Sequence, residues 1–173
     1  QDVGVMRSIP SIDIFTPANT YEMNDILKNS KGIRYLRIDK SQLDLKPINE
    51  LKDIFCYCYF FNENMSCKEK ILILSHGSIG EISIPFLNNK YNLDFYNLAL
   101  IKESEELINL CSSYKKIITI EEHSIVNGLF SFISSLLSRN KIFKELDYIA
   151  LPNEHISLVG DQNFLRENSY LNS

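Results

Sequence analysis

Long apolar runs are missing from this sequence. The longest, Ile54 to Phe61, falls far short of the ~18 residues that a membrane-spanning helix needs, and it is rich in Tyr and Phe. An excess of one charge is missing too. Eighteen basic residues face 22 acidic ones, a formal net charge of −4, which leaves no footprint for nucleic acid or an anionic membrane. No CxxC pair occurs, and no Cys/His group has zinc spacing, so the four cysteines read as buried, reduced thiols. There is no GxSxG and no Ser/His/Asp arrangement to support a serine nucleophile. Residues 1–20 alternate polar and apolar without the basic start of a secretory signal, so a cytoplasmic location is expected. The chain opens on Gln1 rather than Met, and its first apolar residues already read as the inside of a fold, so further coding sequence before Gln1 is expected.

What is present is enough apolar material for a real core: 45% of 173 residues, which excludes a disordered chain. Apolar periodicity divides it into alternating strands and helices. Ile12 to Phe15 reads as a short strand. Asn19 and Glu22 are spaced as a capping box for a helix whose buried stripe is Met23, Ile26 and Leu27. Lys31-Gly32 ends that helix, and Ile33 to Ile38 is the next strand. Asp39 to Asp53 is polar, carries Lys46-Pro47 and lacks a period, which predicts a linker.

The alternation then restarts. Phe55 to Phe61 is a strand on which Cys56 and Cys58 share one face. Asn62 to Lys70 reads as a polar, hairpin-like loop, and Ile71 to Ser75 as a parallel strand covered on both sides. Ser78 to Asn88 is predicted as a helix, capped by Ser78 and Glu81 and kinked or shortened at Pro85. Asp94 to Leu98 is a strand, Ser104 to Lys115 a helix, and Lys116 to Ile120 a β-branched strand. Leu129, Phe132, Ile133, Leu136 and Leu137 give the strongest helical pattern. Tyr148 to Leu151 is a last strand, and Gly160 to Leu171 a last short helix. Such alternation predicts an α/β fold, a three-layer α/β/α sandwich around a mostly parallel sheet.

Ligands of such sheets sit beyond the carboxyl ends of the strands. There the sequence offers His76-Gly77-Ser78, either an anion-binding turn or a plain capped one. It also offers Glu121-Glu122-His123, either an acid/base group or half of a metal site, or else hydrogen bonds that fix the loop before the long helix. His155 is too isolated to assign as a further ligand. Lys40, with Arg34 and Arg37 before it, is best placed at its strand's exit to meet a phosphate or carboxylate; a solvated basic edge is the alternative.

Three stretches, in order and in register, carry a family resemblance. Gln1 to Pro10 (QDVGVMRSIP), continuing through Phe15-Thr16-Pro17-Ala18-Asn19 to Glu22, resembles the end of the pyrimidine-binding domain of transketolases. Ile71 to Ile79 (ILILSHGSI) resembles the first strand and glycine turn of the transketolase C-terminal domain, and Ile117 to Phe132 (IITIEEHSIVNGLFSF) its EEH strand, glycine loop and helix. The resemblance implies a division into residues 1–40, the tail of the pyrimidine-binding domain, 41–54, a linker, and 55–173, a C-terminal domain. It implies a parent enzyme that moves a two-carbon ketol unit between sugar phosphates with thiamine diphosphate and Mg2+. The groups that hold this cofactor lie upstream of the matched region, in N-terminal domains or a separate subunit, so no catalytic residue and no bound cofactor are expected in this chain alone.

A homodimeric parent is expected as well. Lys40, with Arg37, matches the position where the family grips the substrate phosphate with an Arg, and Lys gives up the planar two-pronged contact. Glu121, Glu122, His123 and Gly128 are left with a loop or interface role. Asn127 and Phe130 stand where the family usually has glycine; Asn tolerates a left-handed backbone, and Phe130 should alter local packing or a subunit contact. Two rival readings are 1-deoxyxylulose-5-phosphate synthase or the beta subunit of a 2-oxo-acid dehydrogenase, and a non-catalytic docking module.

Overall fold

The computed structural model describes residues 2–39, 45–63, 66–82, 84–87, 92–151, 153, 159–160 and 164–165. Two sheets organise them. The smaller pairs β1 (Asp13–Phe15) with β2 (Arg34–Leu36), with α1 (Asp2–Met6) before it and α2 (Thr20–Asn29) crossing between the strands. The larger contains β3 (Asn49–Leu51), β4 (Cys56–Phe60), β5 (Ile71–His76), β6 (Leu93–Leu98), β7 (Lys116–Ser124) and β8 (Glu145–Leu151) in the order β3-β4-β6-β5-β7-β8. Its β6-β5-β7-β8 portion is parallel, and β3 and β4 close one side antiparallel.

The layers follow from the two-residue period of the strands. Cys56, Cys58, Leu72, Leu74, Leu98 and Ile117 face α3 (Glu105–Ser113) and α4 (Leu129–Arg139), which contribute Leu107, Cys111 and all five residues of the 129–137 stripe. Tyr57, Tyr59, Phe95 and Ile120 face the other way, toward Phe15, Ile26 and Ile79. The result is the α/β/α sandwich expected, and the two cysteines do lie on one face.

Four expectations change. The segment after β5 is not an α-helix but two short 3-10 turns, Ser78–Ile82 and Ile84–Phe86. Pro85 has no N–H for a helical ladder, and the Ser78 hydroxyl donates to the Asp39 carboxylate. Within the stretch read as a linker, Asn49–Leu51 pairs with β4 as an edge strand. Leu27 is 48% exposed, since α2 turns only Glu22 and Ile26 fully inward. β7 runs on to Ser124, so Glu121, Glu122 and His123 belong to the strand; pairing with β8 resumes at Ser124↔Leu151 after an irregularity and carries the strand past Ile120. Most of the predicted last helix, 160–171, lies outside the described residues.

The smaller sheet is bonded directly to the larger unit. Thr16 N donates to Ala99 O (2.9 Å), Ile101 N to Ile14 O (3.1 Å), and Lys102 pairs with Asp13 (2.8 Å). Beneath these contacts lies a buried polar seam. Asn19 caps α2 by accepting from Glu22 N (3.1 Å), but the Glu22 side chain does not close the box by reaching back. Its carboxylate accepts from Ala18 N, from Tyr59 OH on β4 and from Asn97 Nδ2 on β6, each at 2.7 Å. Asn97 Oδ1 in turn accepts from Ser75 Oγ (3.0 Å) and Gly77 N (3.1 Å).

Candidate functional site

Alternation along β5 and β7 puts His76, Glu121 and His123 on the same side as Leu72, Leu74 and Ile117, and Glu122 on the other. The parallel register sets His76 beside Glu121. The three side chains are brought together at the carboxyl ends of two central strands, beneath the start of α4, and all are buried.

Each is held differently. The Glu121 carboxylate accepts from Leu129 N (2.7 Å) and Phe130 N (2.9 Å), two of the otherwise unpaired donors of the first turn of α4. Gly128 is required there, because a Cβ at that position would lie 1.9 Å from Glu121 Oε2. Asn127 before it has φ +66°, the left-handed conformation Asn tolerates. Phe130 packs on Tyr148 with ring centroids 4.7 Å apart.

His76 donates from Nδ1 to Leu98 O (2.7 Å), which leaves Nε2 as a lone pair. Burial, with help from His123, Arg37 and Arg7, lowers its pKa to about 3 against the opposing pull of the Leu98 carbonyl, so the ring is neutral. His123 lies with its ring centroid 5.8 Å from that of His76 and its Nδ1 3.6 Å from Glu121 Oε2, too far for a hydrogen bond.

The residues expected to meet a phosphate are placed differently. Arg37 is held by Asp2, Nε to Oδ2 3.3 Å, and its side chain is 27% exposed. Arg34 bonds back to the end of α2 through Ser30. Lys40 and His155 lie outside the described residues. Sequence reasoning missed Arg7, which donates from Nη1 to Asn127 O (2.8 Å) and Gly128 O (3.0 Å) and lies over the Phe132 ring. It missed Lys70 as well, a fully buried ammonium paired with Asp94 (2.7 Å), which also accepts from Tyr114 OH (2.6 Å). A lysine closing a polar loop carries no sign of burial in sequence. An acid at the start of a largely apolar strand, Asp94, was the available signal.

Among the described residues, no group of three or more His, Cys, Asp or Glu is placed to hold a metal ion. The buried acids Glu22, Asp94 and Glu121 already receive protein donors, so they do not fit a diphosphate-bridging metal. Among the same residues, no helix is long and apolar enough to cross a membrane.

No family model matches the chain. It is 25% identical to an apulose-4-phosphate transketolase subunit of Actinobacillus succinogenes, over 96% of this chain and 55% of that one. It is 30% identical to the 1-deoxy-D-xylulose-5-phosphate synthase of Dictyoglomus thermophilum, over 96% of this chain and 28% of that one. Its fold is similar to that of a split-gene transketolase described as an inactive beta4 tetramer, with a TM-score of 0.70 and 18% identity over 96% of this chain and 55% of that one. The chain thus spans about half the length of the transketolase subunits it matches, and less of the synthase.

Proposed function

We propose that this chain, a relative of transketolase-type enzymes over nearly its whole length, is the C-terminal part of a thiamine-diphosphate enzyme that transfers a two-carbon ketol unit between sugar phosphates. The observation that carries this reading is the 96% coverage at 25% identity to a transketolase subunit. Thiamine diphosphate supplies the carbanion chemistry, and Mg2+ would hold its diphosphate; both are assigned to the missing N-terminal domains or subunit. This part serves assembly. Residues 1–40 are assigned to the tail of the pyrimidine-binding domain, with Lys40 and Arg37 assigned to the substrate phosphate, 41–54 to a linker, and 55–173 to the C-terminal domain. The buried seam between them supports a fixed presentation of that tail to the catalytic half. A cytoplasmic homodimer acting in carbohydrate metabolism is the assembly proposed.

Reconstitution tests it. The chain alone is expected to show no ketol transfer, and addition of the matching N-terminal section with thiamine diphosphate and Mg2+ should restore it. Turnover by the chain alone, or a stable complex that binds the cofactor yet transfers no ketol unit, would overturn the reading. The 30% identity to a 1-deoxy-D-xylulose-5-phosphate synthase favours a second reaction, condensation of pyruvate with a sugar phosphate. Release of carbon dioxide from pyruvate by the reconstituted enzyme distinguishes it.

A further inference from the structure

The two edges of the larger sheet are built differently. β3 is three residues long, with Pro47 shortly before it and Lys52 directly after it, the short and guarded kind of edge that resists a foreign strand. β8 is seven residues long and contains neither proline nor lysine. Among the described residues, no strand pairs with its outer side. Its middle is apolar and open, with Tyr148 49% and Ile149 42% exposed. Its two acids share one counter-ion on β7: Lys116 Nζ meets Glu145 Oε1 at 2.7 Å and also pairs with Asp147.

We propose that a second copy of this chain adds to the sheet at β8, antiparallel, across a twofold axis at Tyr148. The backbone limits the register. Leu151 O accepts from Ile125 N, just past β7 (3.1 Å), so the odd-numbered residues of β8 turn their N–H and C=O groups toward β7. Alternation turns those of Leu146, Tyr148 and Ala150 outward, and a twofold axis that pairs outward groups must be centred on one of these three. Charge and proline choose among them. Centring on Leu146 would set Glu145 against Asp147 of the second copy, acid against acid. Centring on Ala150 would set Tyr148 against Pro152, which has no N–H to give. Centring on Tyr148 pairs it with its own copy and Leu146 with Ala150, each pair exchanging both hydrogen bonds. Asp147 then faces Ile149 and Glu145 faces Leu151, so no acid opposes an acid. Tyr148, already packed on Phe130, gains an aromatic cross-strand partner. The strand is self-complementary in this one register, and the twofold uses up the β8 edge in a closed dimer.

This contact gives the proposed homodimer a surface; it does not rest on ketol transfer. Sedimentation of the whole chain between about 10 and 500 µM, read beside amide hydrogen exchange, tests it. Dimer should form with rising concentration. The amides of Leu146, Tyr148 and Ala150 should gain protection in step, while those of Asp147 and Ile149, which point to β7, stay unchanged. Ala150→Pro removes one outward donor from each copy and spares the bonds to β7, so it should weaken the dimer by about tenfold or more. Tyr148→Lys and Tyr148→Glu should each be monomeric alone and should pair when mixed, a recovery that misfolded chains would not give. A chain that stays monomeric throughout overturns the inference. So does a dimer whose outward amides exchange independently of concentration, or one that Ala150→Pro leaves equally tight. In those last two cases the copies meet elsewhere and the homodimer stands; the ketol-transfer reading is judged separately, by turnover.

Discussion

Protonating His76 in the folded chain would place a charge among buried groups next to His123 and within reach of Arg7 and Arg37, which is why its pKa falls to about 3. In the unfolded chain the same ring titrates near 6.5. Between these values the unfolded state holds a proton that the folded state refuses, so stability falls as pH drops from about 6.5 toward 3 by about 1.4 kcal/mol per unit. Carboxylates also titrate in this window, but His76→Asn removes only the imidazole's share. Urea unfolding at pH 6 and pH 4 should therefore show a smaller acid loss in the variant than in the parent chain, and equal losses would mean that the ring already takes up a proton in the fold. At this scale the sequence was least legible. His76, Arg7, Lys70 and Glu22 owe their states to partners far along the chain, Leu98, Gly128, Asp94 and Asn97, and no local pattern announces such pairs.

Strands and the long helix were legible for a physical reason. Each buries a periodic apolar face, and the β5, β7 and α4 patterns survive intact in the two halves of the core. Prediction failed where tertiary bonds overrode local signals. Ser78 and Glu81 have capping-box spacing, yet Pro85 interrupts any ladder, so only 3-10 turns form. β7 outruns its β-branched stretch because β8 continues beside it. The turn from β7 into α4 makes the sharpest demand on a single position. In Gly128→Ala the new methyl collides with the Glu121 carboxylate, which must then release Leu129 N, Phe130 N or both. A loss of about 2–3 kcal/mol in unfolding free energy is expected, read as a lower denaturant midpoint with an unchanged slope. A change within about 0.5 kcal/mol would show that the carboxylate does not anchor the helix.

At the scale of the whole molecule the seam decides how many cooperative units there are. Glu22 collects donors from its own helix start, from β4 and from β6, and a glutamine there has only one oxygen to offer. The Glu22→Gln variant should lose about 1–3 kcal/mol, and native-state hydrogen exchange should show the amides of β1 and α2 opening before those of β5 and β7. Uniform loss of protection across both sheets would instead mean that the smaller sheet has no separate stability. The seam also bears on how such chains can be recombined. A chimera that joins its donor halves between positions 39 and 45 would pair a foreign carboxylate with this chain's Tyr59 and Asn97. A crossover placed before Asp2 keeps every bond of the seam within one parent, so working hybrids between related enzymes should tolerate the upstream junction and reject the obvious one.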